Sequence, residues 1–539
     1  MKFSKLFLNI KIPHVFFIVM LLYLSYSCFF LKPWTIKSFS LVDDGQVLMQ
    51  NGSYFESCLY SKNCSNFIAQ TLEWGTGRIR PTYWLLQDLM YSLFKNNATY
   101  HHLFRVFGVG LISVLLMTYV LYKMKLGIIT TVLSTLLFFT SFSFSENIIR
   151  LGPNEPFQVI FLLLFSAFYL PLNSIEKNSF KKNILLILFL ILGLFIKENG
   201  ISLMCAIFAT EAILNKTVGL KTVIVTGTPI VVFAGYLLLD KMFPFDLNKT
   251  IPVYTNNYLT SPVTIINNAF LIVEILLNSL SPFFKISILL LPIFILSARF
   301  RSNLLGKNFI YWSAFSFFFV SIMFPWRYVL DRYQLVGIMG LSIFISLIFS
   351  NVLNFAMNIM SKSAKNKYFV PVFNIIVAFV FINLFSRGFS LNLAKTINYR
   401  NWYSQFTQFE SDQVRALLKY NNDNIFVNGK DSVSNWEFNY EIPIHLKYLY
   451  NTDSNVKLLS NKPTSDAYVF SRSSFDTYIS LDEIQKINSV VLDKKTYEIS
   501  QIDPLAFRQN FIMRPVKTIV YPPLQKEGYN YYWEVRKIN

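Results

Sequence analysis

The sequence predicts a mainly α-helical, polytopic membrane bundle of about eleven spans, followed by a small mixed α/β domain. Three observations carry this expectation. The 539 residues are 53% apolar and only 15% charged, whereas roughly a quarter of the residues of a soluble domain are charged, so the chain is too apolar to be an ordinary soluble protein. The apolar residues gather into runs of about span length between short polar connectors. Beyond about Phe389 those runs stop, and short helix-like and strand-like segments alternate.

The first run, Pro13 to Leu31, follows Lys2, Lys5 and Lys11. A signal peptide shares that basic start, but no small-residue cleavage site follows, so the run is expected to remain as the first span. Further runs lie at Leu103 to Tyr122, Gly127 to Ser143, Phe157 to Leu170, Ile184 to Ile196, Ile201 to Leu214 and Val223 to Leu239. Four more follow at Ile286 to Ser297, Phe309 to Phe324, Tyr333 to Leu353 and Phe369 to Phe385. The basic connectors Lys123/Lys125, Ile175 to Lys182, Lys216/Lys221, Arg299 to Lys307 and Lys362 to Lys367 then share the side of the N-terminus, which the positive-inside rule makes the cytoplasm. Anionic lipid headgroups account for the net charge of +19, and no nucleic-acid module is needed to explain it.

The remaining connectors, 32–102, 144–156, 197–200, 241–281 and 325–332, are expected to face outward, and an odd span count puts the C-terminal tail there too. Pro262 to Leu280 is apolar enough to span but carries Asn267, Asn268, Glu274 and Asn278. As a span it would expose the Arg299 to Lys307 cluster outside, so it is expected to lie flat at the outer interface. The domains read as 1–388 for the bundle and 389–539 for an extracytoplasmic α/β domain. In the latter, helices are expected at Ser411 to Tyr420 and Leu481 to Ile487, and strands at Asn424 to Val427, Ala467 to Phe470 and Lys517 to Tyr521. Cys58 and Cys64 share the first outward loop, where an oxidising compartment would join them; two free thiols are the alternative.

Charged residues recur in four outward connectors. Asp43-Asp44-Gly45 follows the first span, where a carboxylate can take a proton from a hydroxyl while a lipid-borne substrate sits in the adjacent leaflet; a solvated Asp-Gly turn is the other reading. The same loop places Arg78 and Arg80 beside Pro81, Tyr83 and Trp84. Guanidinium forks suit phosphate and aromatic rings suit a sugar face, although snorkelling arginines in an aromatic belt would look alike. The second loop supplies Glu146, Arg150 and, at a helix mouth, Glu155. Lys197-Glu198 lies between two apolar runs, and Arg327, Asp331 and Arg332 occupy the last short turn. Each motif alone is a common surface feature; their placement on one membrane face is what points to a site. No Walker loop, Cys-x-x-Cys pair or Ser/His/Asp signature is present.

Taken in order, Asp43-Asp44, Gly77-Arg78-Ile79-Arg80-Pro81, Gly152-Pro153-Asn154-Glu155, Lys197-Glu198 and Arg332-Tyr333 resemble the GT-C superfamily of polytopic glycosyltransferases. That superfamily includes protein O-mannosyltransferases and bacterial lipid A aminoarabinose transferases, and serotype-converting glucosyltransferases that modify O-antigen are similar in size and plan. The resemblance implies a multi-pass cell-membrane enzyme, on gross likeness of a bacterial inner membrane. Such an enzyme transfers a hexosyl or pentosyl unit from a polyprenyl-phosphate-linked donor to a hydroxyl of a cell-envelope glycan or lipid. It implies Asp43 as base, with Asp44 and Glu155 orienting the reactants. Tyr83, Glu198 and the cations Arg78, Arg80, Arg150, Lys197, Arg327 and Arg332 would hold the substrate and the departing phosphate. No cofactor is required, and a divalent metal is an option some relatives take. Asp43-Asp44 departs from the commoner Asp-Glu pair, which leaves the donor sugar open. A polysaccharide polymerase or ligase would carry its decisive charges in a later large loop, and a lipid or sugar transporter would carry them within its spans.

Overall fold

The computed structural model describes residues 12–41, 44–73, 80–124, 126, 128–171, 175–176, 178–242, 261–280, 283–296, 306–326, 329–363, 369–420, 424–428, 432–451, 457–458, 467–472, 489–499 and 529–538. Helix α1 (Ile12–Tyr26) shows how a span is made. Val15, Val19, Tyr23 and Tyr26 recur every three or four residues and are buried, whereas Phe17, Ile18, Leu21 and Leu22 are exposed. In water that outward face would be costly; in a bilayer it meets lipid. Val231, Leu238, Ile266, Phe270 and Leu289 repeat the inversion elsewhere. Inside, hydroxyls satisfy themselves on the preceding helical turn, as when Ser113, Thr118 and Ser166 donate to the carbonyls of Val109, Val114 and Leu162 at 2.8–2.9 Å.

The connector expected at 32–102 is largely helical: α2 (Asn51–Ser61), α3 (Ser65–Thr71) and α4 (Pro81–Phe94) fill it, and Cys58 is disulfide-bonded to Cys64 between the first two. The next span starts early, at α5 (Ala98–Phe104), whose N-terminus is capped by the Asn97 side chain accepting from the Tyr100 amide at 3.2 Å. It runs through a π-helical turn, Arg105–Gly110, into α6 (Leu111–Lys123). Gly110 is required there, because a Cβ would collide with the Tyr23 hydroxyl, which donates to the Val106 carbonyl at 2.8 Å.

The run expected to cross once over 127–143 is instead two helices, α7 (Ile128–Phe139) and α8 (Phe142–Ile149), meeting at 56°. Ser141 makes the corner: its hydroxyl donates to the Phe138 carbonyl at 2.7 Å and accepts from the Phe144 amide at 3.3 Å, ending one helix and starting the next. Then come α9 (Glu155–Tyr169), α10 (Phe180–Leu194), α11 (Ile201–Asn215), α12 (Leu220–Met242), α13 (Pro262–Ser279), α14 (Phe283–Leu296), α15 (Lys307–Ser321), α16 (Leu335–Ser363) and α17 (Phe369–Leu417).

Among the described residues five helical stretches are long and apolar enough to cross a membrane, and the bent α7–α8 pair makes a sixth, against the eleven expected. Helices α10, α11 and α15 have 15 residues each, about 22 Å at the helical rise, short of a full hydrocarbon core. One of the five is α13, which was expected to lie flat. Its Asn268 is buried and donates to the carbonyls of Phe324 and Trp326 at 3.1 and 2.7 Å, so this amide is satisfied by protein instead of headgroups.

Helix α17 is 49 residues long, roughly 74 Å, and passes residue 389 without a break. It ties itself to the bundle on the way: Asn392 donates to Ser279 O, Thr396 meets Ser145, Arg400 donates to Phe30 O and Ser404 to Thr35 O, all at 2.7–3.0 Å. After it come β1 (Asn424–Asn428), α18 (Ser432–Tyr450), β2 (Lys457–Leu458), β3 (Ala467–Arg472), β4 (Ser489–Ile499) and β5 (Tyr529–Ile538). The strands form one sheet in the order β2-β1-β3-β5-β4, parallel across β2-β1-β3 and antiparallel across β3-β5-β4. The helix expected at Leu481 to Ile487 and the strand at Lys517 to Tyr521 lie outside the described residues.

Candidate active site

Five segments meet at one end of the bundle: Asp44 with the π-helical Gly45–Gln50, the start of α4, the 146–155 connection, the 3₁₀ turn Glu198–Gly200 and the 3₁₀ turn Asp331–Gln334. Side chains weld them to one another. Tyr83 donates to Gly152 O at 2.6 Å and Gln87 to Leu151 O at 3.1 Å, joining α4 to the second connector. Asn154 donates to Ile196 O at 3.1 Å, and Gln158 to Lys197 O at 3.1 Å and to Asn199 Oδ1 at 2.8 Å, which adds the third. Ser143 donates to Asp331 O and Asn147 to Arg332 O at 2.6 and 2.8 Å, which adds the last.

On this frame the charges are placed. Glu155 opens α9 behind Asn154 and ahead of Pro156, at the positive end of the helix, and is only 2% exposed. Its partner is Lys197. The Lys197 ammonium also sits 4.6 Å above the Tyr333 ring, and the Arg332 guanidinium lies 5.2 Å from the same ring. Glu146, Arg150 and Arg332 are within electrostatic reach of one another, with Asp331 and Glu155 beside Glu146. Arg80 is ion-paired with Glu73 and lies 5.5 and 5.8 Å from the Tyr83 and Trp84 rings. Burial works against its charge, but Glu73 more than offsets this, with Glu198 adding to it, and the guanidinium is held well above its ordinary range. Asp44 is buried and its Oδ2 accepts from the Ser40 amide at 2.8 Å. Asp43, Arg78 and Arg327 lie outside the described residues.

Arg105 is the residue the sequence reading passed over. It is fully buried on the π-turn, donates through Nη2 to Pro153 O and, at 3.5 Å, to Asn147 O, and lies 4.6 Å from the Phe157 ring. Its Nε and Nη1 have no hydrogen-bond partner among the described residues, while Asp44, Tyr83 and Glu155 are all within its electrostatic reach. It stands at the edge of an apolar run and reads as part of a span; the usable signal was an ionisable group inside such a run. The site thus brings Asp44, Arg80, Tyr83, Arg150, Glu155, Lys197, Glu198 and Arg332 to one end of the bundle. The part-buried cations there can bind an anionic group, and the carboxylates can take a proton. No group of three or more His, Cys, Asp or Glu side chains placed to hold a metal occurs among the described residues.

The architecture is a multi-pass helical bundle with charged residues gathered on its connectors. Two solved structures share it, both of ArnT from Cupriavidus metallidurans, one bound to undecaprenyl phosphate and one in the apo state. The first superposes with a TM-score of 0.50 at 12% identity, covering 89% of this chain and 96% of that one. The second gives 0.50 and 12%, covering 88% and 95%. No protein-family model matches the chain, and no curated protein matches it in sequence.

Proposed function

We propose that this protein is a membrane glycosyltransferase that moves a sugar from a polyprenyl-phosphate-linked donor to a hydroxyl of a cell-envelope glycan or lipid on the outer face of a bacterial inner membrane. One observation carries the reading: a fold shared over nearly its whole length with an ArnT structure bound to undecaprenyl phosphate has acids and buried or part-buried cations gathered at one end of its bundle.

In this reaction the acceptor oxygen forms a bond to the anomeric carbon as the bond from that carbon to the phosphate oxygen breaks, and the electron pair leaves with the lipid phosphate. Asp43 takes the hydroxyl proton. Asp44 and Glu155 orient the reactants, and Glu155 also holds Lys197 in place. Arg78, Arg80, Arg150, Lys197, Arg327 and Arg332 are the pool of cations from which the phosphate draws its counter-charge as negative charge develops. Arg105, with two unused donor nitrogens, joins that pool. Tyr83 and Glu198 line the sugar's approach.

The test is transfer by the detergent-purified protein from a panel of polyprenyl-phosphate sugars to an envelope glycan extract, with and without Asp43→Asn. Transfer that the substitution abolishes in a folded protein is the expected result. Undiminished transfer moves the base to Asp44 or Glu155, and no transfer from any donor overturns the reading in favour of a polymerase or transporter.

A further inference from the structure

The backbone flanking Asp44 is held by residues far along the chain. Glu410, on α17, accepts through Oε2 from the Leu41 amide at 2.9 Å and from the Ser40 hydroxyl at 3.0 Å. Glu441, on α18, accepts through Oε2 from the Gly45 amide at 2.7 Å and through Oε1 from the Gln46 amide at 3.0 Å. The two carboxylates grip the backbone before and after Asp44 from positions 369–396 residues away in sequence. Both are buried, at 0% and 2% exposure, where a carboxylate is expensive unless hydrogen bonds replace its water. Gly45 is fitted to this grip, since a Cβ there would run into the Glu441 carboxylate and come within 2.7 Å of His445 Cδ2. His445 closes the far side, its Nε2 lying 3.4 Å from Glu441 Oε2.

A surface tether needs neither two buried acids nor a bracket around one reactive residue. We propose that Glu410 and Glu441 are positioning residues for the transfer reaction, fixing the backbone on both sides of Asp44 so that the C-terminal segment completes the active site. The proposal rests on the transferase reading above. It goes beyond that reading by giving the region after the bundle a catalytic duty and by naming the atoms that perform it.

The geometry distinguishes the two acids. Glu441 uses both oxygens on two amides, so Glu441→Gln must turn an NH₂ group against a backbone N–H. Glu410 makes both bonds through a single oxygen, which a glutamine oxygen can replace. The full-length protein in detergent is therefore compared with Glu441→Gln, Glu410→Gln and Glu410→Ala, each confirmed folded by its melting transition. Amide hydrogen exchange is read over 41–46, together with kcat and the donor KM.

In Glu441→Gln, exchange at 45–46 is expected to rise about tenfold or more and kcat to fall on the order of 10²-fold while donor KM stays within about threefold, the signature of misplacement. Glu410→Ala should expose the Leu41 amide and slow turnover similarly, and Glu410→Gln should recover most of that loss. Unchanged exchange in Glu441→Gln overturns the grip. Faster exchange with native kcat overturns its catalytic duty, and so does a Glu410→Gln variant as impaired as Glu410→Ala. If the native protein transfers no sugar, the transferase reading falls and the catalytic duty falls with it, while the exchange pattern, which needs no substrate, still decides whether the grip exists.

Discussion

Helix α9 ends in two buried charge clusters about 21 Å apart, and they are built differently. At its C-terminal end Glu211 takes a hydrogen bond from Tyr169 at 2.9 Å on one oxygen and from Asn215 at 2.8 Å on the other. Lys307 adds its ammonium 3.8 Å from Glu211 and 3.7 Å above the Tyr169 ring. Every one of these polar atoms has a partner, and the cluster locks α9, α11 and α15 together. At the N-terminal end Glu155 and Lys197 are paired, but next to them two Arg105 nitrogens and Glu198 Oε1 are buried without hydrogen-bond partners among the described residues. A closed network stabilises; a network with spare donors and acceptors is poised for a substrate that brings its own polar atoms.

The largest effect should come from breaking the open cluster. Lys197→Met leaves the Glu155 carboxylate buried without its cation, a loss of about 3–5 kcal/mol, and transfer by the surviving folded protein should fall more than about 10²-fold. The measurements are the melting temperature and the initial rate per folded molecule. At the closed end, Glu211→Gln keeps one acceptor and loses the other, so it should cost about 1–3 kcal/mol while the rate per folded molecule stays within about twofold of native. If the two variants exchange these outcomes, the contrast between the ends is wrong.

The smallest effect concerns a carboxyl that belongs to neither cluster. Asp88, on α4, is buried and accepts from Asn51 Nδ2 at 2.5 Å; burial pushes its carboxyl up to about 8, with the Asn51 bond opposing. A folded-state value above the unfolded one means that the folded protein binds the proton more tightly. The resulting stability is fully present below about pH 4 and is lost as pH rises through about 8. The melting temperature should therefore decline between about pH 4 and 8, and Asp88→Asn should flatten that slope without changing the rate. A native profile as flat as the variant's would show that Asp88 ionises freely.

How much of this was legible in sequence differs from residue to residue. Glu155 was placed at a helix mouth because it stands just before the apolar run from Phe157 in a stretch bracketed by prolines, a signal confined to a few neighbouring positions. The Lys197 partner was not legible, because Glu198 is adjacent in sequence but points elsewhere, while Glu155 lies 42 residues back and is brought close only by packing. The break at Ser141 was missed because hydropathy averages over a window and does not register one serine serving as both stop and cap. Arg105 was masked by the apolar residues around it. Glu410 and Glu441 carried no signal at all, since each sits in a segment of mixed composition and neither forms a motif with its neighbours.

Composition and periodicity determined on their own that the chain is a multi-pass helical protein, because the free energy of moving apolar side chains out of water is local, additive and readable from the order of residues. Convergence of charge on the connectors was also visible, since connector and span alternate along the chain. Tertiary structure alone decided which acid meets which cation, that a helix crosses the expected domain boundary, and that two glutamates from beyond residue 389 hold the backbone flanking Asp44. Those outcomes depend on distances between residues tens to hundreds of positions apart, and a buried carboxylate's partner is chosen by geometry at a few ångströms, for which the linear order of residues holds no measure.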